Sequence, residues 1–142
     1  MDADVGSTPT WPTSRAALPT NERAAMGTIQ HKVVIATYSN YPEDCIDRAD
    51  LVRALNKAVD GADKWRIVVD EVLVGPISAP ANGYISYILT TDGSKLGWEL
   101  HGQGDDLRSA FYDYMLDNAR GVEMVEVSYG ELGTGIEQTN CY

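Results

Sequence analysis

From Gln30 to Tyr38 the apolar positions run almost unbroken, with Val33, Val34 and Ile35 in succession. A β-branched run like this predicts a central strand, covered on one face and packed at its rim on the other. The period then changes. Leu51, Val52, Leu55, Ala58 and Val59 recur at three- and four-residue spacing, which predicts a helix from about Cys45 or Asp47 to Asp60. Asp44 or Asp47 suits its first turn as a cap, and Gly61 ends it.

Three stretches that follow alternate apolar and polar residues as strands do: Trp65–Val74, Tyr84–Thr91 and Lys95–His101. The last two meet at Asp92-Gly93, a pair suited to a two-residue hairpin. Between the first two, residues 74–82 carry Gly75, Pro76 and Pro80 and read as an exposed loop. A second helix is predicted from about Asp105 to Ala119, with Leu107, Ala110, Phe111, Tyr114, Met115 and Asn118 on its inner face and Gly121 as its stop. Val122–Gly130 is the final predicted strand.

The order β-α-β-β-β-α-β predicts an α+β two-layer sandwich, with a mostly antiparallel sheet of about five strands and both helices on one face. A ferredoxin-like core with one added strand fits it, and a right-handed first crossover would pair strand one parallel to a neighbour. The domain is expected over residues 28–130. Residues 1–27, with Pro9, Pro12 and Pro19 and no sustained period, read as a flexible extension, dispensable for folding up to residue 25. Residues 131–142 read as a tail. The α-β-β-β-α segment resembles the double-stranded-RNA-binding arrangement in element order alone. Its second helix opens with Asp105-Asp106 where that family has lysines, so the resemblance carries no function over.

Charge narrows the partners. With 21 acidic against 11 basic residues the net charge is −10, which opposes direct contact with nucleic acid or anionic membrane. No stretch approaches the ~20 apolar residues of a membrane span. Two cysteines, Cys45 and Cys141, read as free thiols in a reducing compartment, so a cytoplasmic setting is expected. The small acidic chain, with a candidate internal start at Met26, has the look of a phage or mobile-element accessory protein.

Five constellations bear on chemistry. His101-Gly102-Gln103-Gly104 precedes a helix, as phosphate-binding loops do, but Asp105 and Asp106 would repel an anion and cap the turn themselves. His31, His101, Cys45, Glu43, Asp44 and Asp47 lack zinc or calcium spacing, so no metal and no cofactor is expected. Cys45 near a helix start has a thiolate disfavoured by Glu43 and Asp44, and no nucleophile elbow exists, which points away from an enzyme. Asp106, Asp113 and Asp117 fall within about 20° of one line along the second helix and form an acidic stripe fit for a basic protein partner. Finally, Tyr38, Tyr41 and Tyr112 fall at loops or polar faces, where tyrosine favours interfaces. The leading expectation is a non-enzymatic protein-binding or self-associating domain, with a second copy (a homodimer) or another protein as its partner. The alternative is an acidic inhibitor, a nucleic-acid-mimicking decoy for a basic protein, and a metal- or thiol-dependent enzyme comes third.

Overall fold

The computed structural model describes residues 27–39, 46–61 and 66–140. In chain order these form β1 (Gln30–Ser39), α1 (Arg48–Ala58), the single turn α2 (Val69–Val72), β2 (Leu73–Ser78), β3 (Tyr84–Leu89), α3 (Glu99–Asn118), β4 (Glu123–Gly130) and β5 (Gly135–Asn140). The sheet is five-stranded in the order β2-β3-β1-β4-β5, and every neighbouring pair is antiparallel.

This is the α+β arrangement expected, reached by a different route. Because β3 lies between them, β1 and β2 run in the same direction without pairing; the parallel neighbour expected for strand one is absent. The same holds for β3 and β4, which β1 separates. Two split βαβ units therefore interlock, the ferredoxin-like order, with β5 as the added strand outside β4.

α1 forms where its apolar stripe and caps agree. The Asp47 carboxylate accepts from the Ala49 N–H at 3.0 Å, and Leu51 and Leu55 are buried one turn apart, with Val59 beyond the last residue. α3 buries Leu107, Phe111 and Met115 at four-residue intervals. Both helices cover one side of the sheet, where Val34, Ala36, Tyr38, Ile85, Tyr87, Leu89 and Met124 join them in a single core. Ala110 and Tyr114 pack at the edge of that core as expected, whereas Asn118 is exposed.

Several expected elements are replaced. Residues 66–68 have no regular structure and Val69–Val72 is a helical turn, so the strand expected over 65–74 begins only at Leu73. The segment expected as a loop is β2 itself, an edge strand that tolerates Pro76 because an edge leaves one row of N–H groups unused. Arg48 holds it: its guanidinium donates to the carbonyls of Gly75 (2.7 Å) and Leu73 (3.1 Å) and to Asp70. The hairpin joins β2 and β3 through Asn82 and Gly83, both at positive φ, and not through Asp92-Gly93. Lys95 makes an isolated bridge to Ile29, and residues 99–101 already belong to α3. The tail contains β5, whose turn from β4 is pinned by Gln30, which donates to the Gly133 carbonyl and accepts from the Leu132 N–H. With no three-strand meander, the order resembling double-stranded-RNA-binding domains is gone as well.

Candidate functional site

Strand register sorts the side chains of the uncovered face into rows, because directly opposed residues point the same way. Val74, Ile88, Ile35, Val125 and Gln138 form one row across all five strands. Beside it Val33, Val127 and Ile136 form a second, and Ile77, Ser86, Thr37 and Glu123 a third. His31 stands opposite Tyr129 at the far end, with ring centroids 5.1 Å apart. Among these residues only Glu123 carries a formal charge. Val74, Ile77, Tyr129 and Ile136 are exposed, Ile136 to 69%. Among the described residues no helix lies over this face.

The opposite extreme is a buried polar cluster between α3 and the loop after β3. His101 Nδ1 lies 3.4 Å from Ser94 Oγ, and its Nε2 is 4.0 Å from Asp105. Arg108, buried, pairs with Asp105 and sits 3.9 Å from Asp92, whose other oxygen accepts the Ser94 N–H at 2.7 Å. Lys32 Nζ approaches Asp105 at 3.9 Å. Gly104 makes the cluster fit, since a Cβ there would collide with the Asp92 carboxylate. His101-Gly-Gln-Gly104 is thus neither a phosphate cradle nor a self-capped turn. It lies inside α3, where the glycine admits Asp92 and Gln103 accepts the Ile67 N–H at 2.9 Å.

A hydroxyl, an imidazole and a carboxylate in sequence form the outline of a nucleophilic triad, which sequence reasoning missed because Ser94 adjoins the Asp92-Gly93 pair expected to form a hairpin and nothing local links it to His101. The surroundings do not serve catalysis. Ser94 is 3% exposed, and the neighbouring cavity, lined by Asp92, Gly104 and Arg108 among apolar residues, has a volume of about 10 Å³. That is room for one water at most. Burial pushes the His101 imidazole below its ordinary range, and Arg108 and Lys32 add to this against the opposing pull of Asp105 and Asp92. The cluster reads as a structural one.

The residues singled out beforehand disperse. Tyr38 is 2% exposed and belongs to the core, so it offers nothing to a partner; the β1 pleat turns it under the helices. Tyr41 and Cys45 lie outside the described residues, as do Cys141 and residues 1–26. Tyr112 packs half-buried at the edge of the core, and burial followed by Glu126 and Glu137 raises its pKa. Asp106, Asp113 and Asp117 are exposed along α3, and among the described residues no cation pairs with them, Arg120 included. Among the described residues no three His, Cys, Asp or Glu side chains gather as a metal site. His31 hydrogen-bonds Thr91 at 2.9 Å. Among the described residues no helix is long and apolar enough to cross a membrane.

Comparison with protein-family models, curated proteins and solved structures finds no match.

Proposed function

We propose that this chain is a non-enzymatic protein-binding module that works through the uncovered face of its sheet. One observation carries the reading: on a chain of net charge −10, the open face holds, among the described residues, a single carboxylate among rows of branched aliphatic side chains. An exposed apolar patch of several hundred Å² is uncommon on a solitary domain and marks a contact surface. A low density of charge at the patch centre is the usual composition of an interface core. Sparse cysteines favour the cytoplasm as its setting.

The test is a photo-crosslinking amino acid placed at Val125, in the central row, and separately at exposed Ser109 on α3. Position 125 should yield protein adducts well in excess of position 109. Equal yields would reject the reading.

A second reading, an acidic decoy for a basic protein, draws on the stripe of Asp106, Asp113 and Asp117, exposed and without a cationic partner among the described residues. Like charges at i,i+4 cost a helix a few tenths of a kcal/mol, about 0.2–0.5, unless a partner answers them. Replacing all three by Asn should weaken capture of a basic partner, and should do so most at low salt. Unchanged capture would dismiss the decoy.

A further inference from the structure

We infer that the occupant of the open sheet face is a second copy of this chain, the two sheets packing face to face about a twofold axis near Ile35. This rests on the reading above and names its partner. Three features of the face support it.

The first is self-complementarity. A twofold contact sets a patch against its own image, so any charge at its centre meets its like. Here the row Val74, Ile88, Ile35, Val125, Gln138 has no charge, and Glu123 and His31 stand at opposite ends of the patch. Two copies with net charge −10 repel one another along most approaches. The acids of α3 lie on the helix side, so this face lets the copies meet with their carboxylates far apart.

The second is area. β1 has 10 residues, β4 has 8, and β2, β3 and β5 have 6 each. At ~4.8 Å between strands and ~3.3 Å per residue the face spans roughly 550 Å² in projection, and standing side chains add to its accessible area. Specific interfaces begin near ~600 Å² per partner. The whole face is therefore comparable in size to the smallest specific interfaces, which suits a dimer of modest affinity.

The third is shape. Twisted sheets stack in aligned fashion at about −30°, with β-branched side chains from both inner faces interdigitating. Val33, Ile35, Ile88, Val125 and Val127 are of the type such packing uses.

The experiment is light scattering and sedimentation on the full chain from roughly 1 to 200 µM, a range that spans the affinities of interfaces this small. A species of twice 15.5 kDa should accumulate with concentration. Ile35→Lys should weaken the dimer at least 100-fold while leaving the circular dichroism spectrum unchanged. Should that variant fail to fold, Ile136→Lys at an exposed edge position should weaken it about tenfold. A chain that stays monomeric throughout, or a dimer indifferent to both substitutions, overturns the proposal. Cross-links from position 125 to other proteins would then leave the module intact with a different partner. Cross-links only to residues 1–26 of the same chain would overturn the dimer and assign the face to that segment.

Discussion

The two faces of the sheet are built from the same aliphatic vocabulary and meet opposite fates. Toward the helices, Val34, Ala36, Leu89 and Met124 are buried in one core. On the other side Ile35, Ile88, Val125 and Val127 are only half-covered, and Val74 and Ile136 are exposed. The difference lies in supply. Both helices long enough to cover a sheet, α1 with 11 residues and α3 with 20, follow crossovers to one side. Alternation along a strand thus encodes two surfaces, and only topology decides which of them the chain's own helices cover.

Substitutions on the two faces should separate sharply. Phe111→Ala empties a fully buried position and should cost about 3–5 kcal/mol in urea unfolding. Val127→Ala on the open face should cost under about 1 kcal/mol under dilute, monomeric conditions. Comparable losses would mean that the open face is covered. Next in size is Gly104→Ala, whose new methyl meets the Asp92 carboxylate; about 1–3 kcal/mol of overpacking strain should follow, with no effect on association.

A smaller effect sharpens the same contrast through pH. Burial holds His101 below the ordinary imidazole value of about 6.5, so the unfolded chain binds the proton more readily than the folded one. That contribution to stability is complete above pH 6.5 and is lost progressively as pH falls below it toward the depressed folded value. Urea midpoints at pH 7.5 and 5.5 should therefore differ in the wild type by more than in His101→Gln. An equal pH response in both proteins would assign the effect to the carboxylates. Smallest of all, Asp117→Asn should stabilise α3 by a few tenths of a kcal/mol, ~0.2–0.5, and leave self-association untouched.

How much of this was legible depends on what each segment is packed against. α1 and the inner face of α3 follow from the sequence because each has one buried side and a clean period, and β1 because its β-branched run marks a central strand. Lys95–His101 misleads because Leu96, Trp98 and Leu100 alternate like a strand, while His101, Gln103 and Gly104 are buried at helical spacing among residues of low helix propensity. The tertiary contact with Asp92, invisible in sequence, is what requires that glycine. β2 hides behind Pro76, and its edge position and the Arg48 guanidinium are both long-range facts. β5 shows no period because none of its side chains from Gly135 to Thr139 is buried; pairing with β4 defines it. The open face could have been found from Val33, Ile35, Val125 and Val127 once the strand order was known, whereas Tyr38 misled because a tyrosine beside a loop resembles a surface residue.

The account rests on association through the sheet face that carries only Glu123 as a formal charge among its described residues, and salt tests it most directly. The self-repulsion of chains carrying −10 is screened as ionic strength rises from about 0.05 to 1 M, while apolar contact is not weakened. Sedimentation of the full chain at fixed protein concentration should show the dimer fraction increasing over that range. A dimer that dissociates as salt is added would place the contact on charged groups and contradict the assignment of the open sheet face.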